Sequence, residues 1–94
     1  MKVDELEIDS EHYKEALELR YELFFQEHAL PRDVLIDKYE SASRHIAIVS
    51  HGSLIAYGRL TNLGEGTYQI SQIVVKQHEQ GKGYGTTILK KLVS

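Results

Sequence analysis

The sequence predicts an α+β fold: a mostly antiparallel sheet with the element order β-α-α-β-β-β-α. Three observations carry the prediction. Residues 11–26 place their apolar side chains at helical spacing. Residues 45–75 hold three β-prone runs separated by glycine-bearing turns at 51–52 and 62–66. The third run feeds a glycine cluster, Gly81-Lys82-Gly83-Tyr84-Gly85, beyond which the chain reads as helix.

The stretch from Lys2 to Ile8 alternates, with Val3, Leu6 and Ile8 apolar, and reads as a short strand. Ser10 is the candidate N-cap of the first helix, and Glu11 and Glu15 put negative charge in its first turn. The apolar positions are Tyr13, Ala16, Leu17, Tyr21 and Phe24, with Leu19 and Leu23 alongside; this helix is expected to run to about Gln26. Pro31 agrees with an end near Glu27 or His28. Arg32 to Glu40 reads as a second, short helix with Val34, Leu35 and Tyr39 inward, and Ser41 to Ser43 as a connection. His45 to Val49 and Leu54 to Leu60 form a hairpin about His51-Gly52. Gly58, inside the second of these strands, predicts a bulge or a close backbone approach. Asn62 to Gly66 makes the next turn, and Tyr68 to Val75 is the last strand. The closing helix, Thr86 to Val93, shows apolar positions at Ile88, Leu89, Leu92 and Val93.

At 94 residues the chain is one domain, 1–94, large enough for a modest core. The absence of cysteine excludes disulfides and thiolate metal sites. No apolar run is long enough to span a bilayer, and MKVDELEIDS lacks the apolar core of a signal peptide, so the expected location is cytoplasmic. The net charge of −3 hides an asymmetry: residues 1–40 carry 12 acidic and 5 basic side chains, residues 41–94 only 2 acidic and 6 basic. The basic half suits an anionic cofactor and the acidic half a cationic amine, though a solvated acidic helix face has the same signature. No basic stripe with interleaved aromatics appears, so nucleic acid is not an expected partner. His12, His28, His45, His51 and His78 show no metal-ligand spacing and read as solvated turn residues, with no metal expected.

A strand, a glycine turn and a helix start in succession have a physical use. The first N–H groups of a helix lack intrahelical partners and carry partial positive charge. Glycines let these groups approach a phosphate with no Cβ between. Spacing then discriminates among phosphate loops. A P-loop requires Ser or Thr after Gly-Lys, but Gly83 follows Lys82, and the earlier glycine position holds Lys76. A dinucleotide fingerprint requires G-x-G-x-x-G with an acidic residue about 20 positions later. Here the spacing is G-x-G-x-G and the last residue is Ser94. The pattern that fits is Q-x-x-G-x-G, filled by Gln80, Gly83 and Gly85 after the strand Ile73-Val74-Val75.

That combination resembles the acyl-CoA loop of the GNAT superfamily of N-acetyltransferases. Gln77 stands where the family often has proline. The segment LELRYELFFQEHALPRD is similar to the ElaA-like branch through Leu19, Arg20, Phe24, Glu27 and Pro31, with His28 departing from its usual glutamine. The resemblance implies acetyl transfer from acetyl-CoA to a primary amine by direct attack on the thioester. It implies cofactor contacts at Ile73, Val74 and Val75 along the strand, and at Gln80, Gly81, Lys82, Gly83, Tyr84, Gly85 and Thr86 in the loop. In this reading the loop binds through its N–H groups, with the Lys82 side chain in solvent. Tyr84, Tyr57 and Tyr68 are expected to pack against the sheet. Glu27, at the end of the first helix, is the candidate general base; the family's acid, often a later tyrosine, has no counterpart here. The family's later strands and the helix between them also have no counterpart, leaving Tyr68 to Val75 as an uncharged, apolar edge. Such an edge predicts a homodimer. The alternative readings are an inactive acyl-CoA-binding module, or a fragment completed by another chain.

Overall fold

A computed structural model describes residues 1–25 and 39–94. Its elements are β1 (Lys2–Glu5), α1 (Glu11–Arg20), β2 (Ser43–Ser50), β3 (Ser53–Gly64), β4 (Thr67–Val75) and α2 (Tyr84–Leu92). A π-helical turn, Tyr21–Phe25, continues α1, and 3-10 turns occupy Glu40–Ala42 and Gln77–Glu79. The sheet order is β1-β2-β3-β4, and every neighbouring pair is antiparallel.

Local chemistry explains where each element starts and stops. The Ser10 hydroxyl accepts from the Tyr13 N–H and caps α1 as expected. The first strand ends at Glu5 rather than Ile8, because the Glu7 carbonyl accepts from both the N–H and the hydroxyl of Ser10 and closes a turn. Ile8 is consequently exposed. His51 (φ 53°) and Gly52 (φ 77°) form the two-residue β2–β3 turn, whose positive φ values match the twist of the strands. The strands outrun the apolar pattern at both ends, because ladder pairing continues through Ser43↔Thr61 and Gly64↔Thr67. Of the expected second helix, residues 32–38 lie outside the described residues; Glu40 opens a 3-10 turn instead.

The helices cover opposite faces of the sheet. On one face Tyr13, Ala16 and Leu19 of α1 pack with Leu6, Ala47, Leu54, Tyr57 and Val74. On the other, Ile88 and Leu92 of α2 pack with Ile46, Ile48, Ile55 and Ala56, flanked by Ile70, Ile73, Val75 and Tyr84. Gly58 lies under α2: a Cβ there would stand 2.4 Å from Ile88 Cγ2. The expected close approach is thus a helix seated directly on bare strand backbone. The expected bulge is present too, but on β4: pairing shifts between Tyr57 and Arg59, so Gln72 and Ile73 together face Gly58.

Candidate functional site

The glycine loop joins β4 to α2 along a folded path. Gln77–Glu79 forms its 3-10 turn, and Gly81 (φ 83°) and Gly83 (φ 82°) take left-handed conformations that disfavour other residues. A Cβ at either glycine would meet nothing within 4 Å, so backbone angle and not crowding demands glycine. Gly83 is the N-cap of α2 and supplies no side-chain acceptor, which leaves the helix's first N–H groups without a side-chain cap. A nine-residue helix with an uncapped start and glycine before it presents the donors an anionic pyrophosphate requires. The Gln80 side chain turns back and donates to the Val75 carbonyl at 3.0 Å, closing the loop onto β4. Lys82 pairs with Glu79 at 3.0 Å and is half exposed, so the loop's cation faces solvent as expected. Tyr84 packs against the sheet as expected, whereas Tyr68 stands exposed.

β4 ends the sheet among the described residues, so Ile73, Val74 and Val75 run along its open edge into this loop. Gln72 has φ 56°, a left-handed angle for a residue that is not glycine. Its side chain is held from below: Arg20 Nε donates to Gln72 Oε1 at 2.6 Å.

Arg20 belongs to a buried polar cluster under the sheet. Its guanidinium grips Glu40 bidentately, at 2.7 Å to Oε2 and 3.0 Å to Oε1, and lies over the Tyr57 ring at 4.9 Å. Arg59 donates to Glu40 Oε1 at 3.0 Å and to Ser71 Oγ at 3.2 Å, and the Tyr13 hydroxyl donates to Glu40 Oε2. His45 Nε2 donates to the Glu40 carbonyl at 2.8 Å. Its Nδ1 therefore accepts from the Tyr57 hydroxyl, at 2.6 Å. Burial pushes the Glu40 carboxyl up, but the hydrogen bonds from Arg20 and Tyr13 and the Arg20 charge outweigh it, and its pKa falls below the ordinary carboxylate value. Burial and the bond to Glu40 push Tyr13 up to about 12. Burial moves His45 below its ordinary value, which keeps the ring neutral.

His45 is therefore a core histidine and not the solvated turn residue expected. Arg20, Glu40, Arg59 and Gln72 were not singled out for this cluster by motif reasoning. Their signal was positional: Arg20 falls on the buried stripe of α1 at Tyr13 and Ala16, and Arg59 shares the α1-facing side of β3 with Tyr57. The candidate base Glu27 lies outside the described residues. Among the described residues, no group of three or more His, Asp or Glu stands together in a way that could hold a metal ion. A cleft of about 210 Å³ beside the end of β4 is lined by Glu15, Glu18, Leu19, Glu22, Leu54 and Lys76.

The profile of the Acetyltransferase (GNAT) family matches residues 6–94. An uncharacterized N-acetyltransferase of Bacillus subtilis, YjcF, is 29% identical over 84 residues, covering 89% of this chain and 59% of its own length. The chain thus spans little more than half of that curated relative. Among solved structures, Escherichia coli ElaA superposes with a TM-score of 0.81 at 22% identity, over 99% of this chain and 67% of ElaA. An acyl-CoA N-acyltransferase of Pseudomonas aeruginosa gives 0.77 at 22% identity, over 98% of this chain and 68% of its own. An aminoglycoside 6'-N-acetyltransferase complexed with coenzyme A gives 0.76 at 12% identity, over 98% of this chain and 53% of its own. At these identities the superpositions speak for the fold, and the profile match speaks for descent. With the strand, glycine turn and uncapped helix in the positions the sequence motif requires, this chain belongs to the GNAT family of acetyltransferases.

Proposed function

We propose that the chain transfers an acetyl group from acetyl-CoA to a primary amine. The observation that carries this is the uncapped, glycine-flanked start of α2 placed at the end of an open strand edge. N–H groups from Gly81 to Thr86 hold the pyrophosphate, with Gln80 bracing the loop against Val75. The backbone of Ile73, Val74 and Val75 lines the pantetheine and the acyl oxygen. Acetyl-CoA supplies an activated acyl carbon with a thiolate leaving group. Glu27, following α1, takes the proton of the attacking amine. The acidic lining of the cleft beside Lys76 supports a cationic acceptor. The open β4 edge supports a homodimer as the working form. It equally supports the second reading, an acyl-CoA-binding chain without turnover of its own.

Calorimetry with CoA, followed by turnover of acetyl-CoA with a panel of amines, tests the proposal. Wild type is expected to bind CoA, and Gly83→Ala to bind at least about tenfold more weakly, a loss of roughly 1.4 kcal/mol. Glu27→Gln is expected to slow turnover while leaving CoA affinity within about threefold. No CoA binding by the wild type refutes both readings; binding without turnover on any amine leaves the second.

A further inference from the structure

We propose that the Arg20–Gln72 hydrogen bond holds the β4 bulge in place, and so sets which backbone groups of Ile73, Val74 and Val75 face the open edge. Upstream of the bulge Leu60 faces Ile70 and Arg59 faces Ser71; downstream Tyr57 faces Val74 and Ala56 faces Val75. Uninterrupted pairing from Arg59↔Ser71 would place Ile73 opposite Tyr57. The inserted residue therefore moves the whole Ile73–Val75 segment by one position. A shift of one in a strand exchanges both the sheet face of every side chain and the side on which each N–H and C=O points. The side chains record the exchange. Ile70, Ile73 and Val75 pack on the α2 face, Val74 packs on the α1 face, and the consecutive Ser71 and Gln72 both reach α1-side partners.

The bulge has a backbone that resists it, since Gln72 adopts a left-handed φ of 56° without being glycine. Something outside the strand must hold it. Arg20 is fully buried, and its Nη atoms are fixed by the bidentate grip on Glu40, which is itself fixed by Arg59 and Tyr13. Its Nε–H thus points at Gln72 from an immobile fork. A guanidinium can only donate, so the amide must present its oxygen, and the side chain has one orientation. Arg20 is a positioning residue in this account: it touches no substrate and acts through Gln72 on the strand. The consequence for chemistry rests on the acyl-CoA reading above, in which this strand edge receives the acyl arm.

Gln72→Met and Gln72→Glu separate the hydrogen bond from the shape. Both keep a long unbranched side chain, and so the same backbone strain, but only glutamate offers Arg20 an acceptor. Amide hydrogen exchange, which needs no ligand, is the first readout. Exchange at Ile73–Val75 is expected to accelerate at least about tenfold in Gln72→Met, with β2 unaffected, and to return within about threefold of wild type in Gln72→Glu. The second readout is calorimetry with CoA and with 3′-phosphoadenosine 5′-diphosphate, which reaches only the glycine loop. Gln72→Met is expected to weaken CoA about tenfold and the nucleotide less than twofold. Unchanged exchange in Gln72→Met, acceleration spread equally over all strands, no recovery in Gln72→Glu, or equal loss for both ligands overturns the proposal. A wild type that binds neither ligand overturns the acyl-CoA reading instead, and the exchange rates then still support or overturn the clamp.

Discussion

His45 is neutral because both ring nitrogens already have roles, Nε2 donating to the Glu40 carbonyl and Nδ1 accepting from Tyr57. Protonation would leave the Tyr57 hydroxyl facing a second donor in a buried site. The folded pKa therefore lies below 6.5, with burial the main cause. Between that depressed value and 6.5 the unfolded chain binds a proton that the folded chain refuses, so stability falls as pH drops through this window. The slope is at most about 1.4 kcal/mol per pH unit for one proton. Glu40 adds a loss of the same sign only below 4.5, where the unfolded carboxyl protonates before the folded one. Urea denaturation at pH 7.5 and 5.5 is expected to show a lower midpoint at 5.5. His45→Gln, which retains a donor for the Glu40 carbonyl but does not titrate, is expected to flatten the difference; an undiminished slope would assign the effect to another group.

At the scale of elements, the meeting of α2 with β3 positions the glycine loop. Ile88 and Leu92 sit on Gly58, and both stand within contact distance of the missing Cβ. Ile88 is β-branched and stiff at χ1 in a helix, so it cannot turn its Cγ2 away from an added methyl. Gly58→Ala must instead lift α2, at a cost of about 1–3 kcal/mol. Because the uncapped N-terminus moves with the helix, CoA affinity is expected to fall together with the melting temperature. An unchanged melting temperature and affinity would mean that the helix does not rest on Gly58 in solution. Arg44 ties the other end of α2 to the sheet, donating to the Leu92 carbonyl at 3.2 Å while pairing with Glu5.

At the scale of the whole molecule, the sheet of the described residues has two outer strands, β1 and β4, and it is the nine-residue β4 that lies beside an exposed apolar margin. β4 is open along its outer side, Tyr68 is 60% exposed, and Leu89 on α2 and Val93 at its C-cap are 41% and 66% exposed. Arg44, Leu60, Tyr68, Leu92, Val93 and Ser94 line a single recess between them. An open edge beside exposed apolar side chains favours pairing with a second copy. Sedimentation velocity at micromolar concentration is expected to show a dimer, and Tyr68→Lys to shift it toward monomer. A monomeric wild type with full CoA binding would sink the dimer and leave the edge protected in some other way.

The motif and the alternation of apolar residues determined the family, the three-strand meander, the Ser10 cap, the His51-Gly52 turn and the glycine loop. These depend on backbone angles and local periodicity, which neighbouring residues impose on one another. Gly58 announced a close approach for the same reason: a glycine in a buried strand is costly unless something occupies its place. Tertiary structure alone decided that the bulge opposite Gly58 falls on β4 at Gln72, and it alone assembled the cluster of Arg20, Glu40, Arg59, Tyr13 and His45. The hydrogen bonds that join cluster and bulge reach across as many as 52 residues, from Arg20 to Gln72. A charged side chain reads as solvated in a sequence because burial is costly without partners, and the partners arrive only when helix and sheet meet.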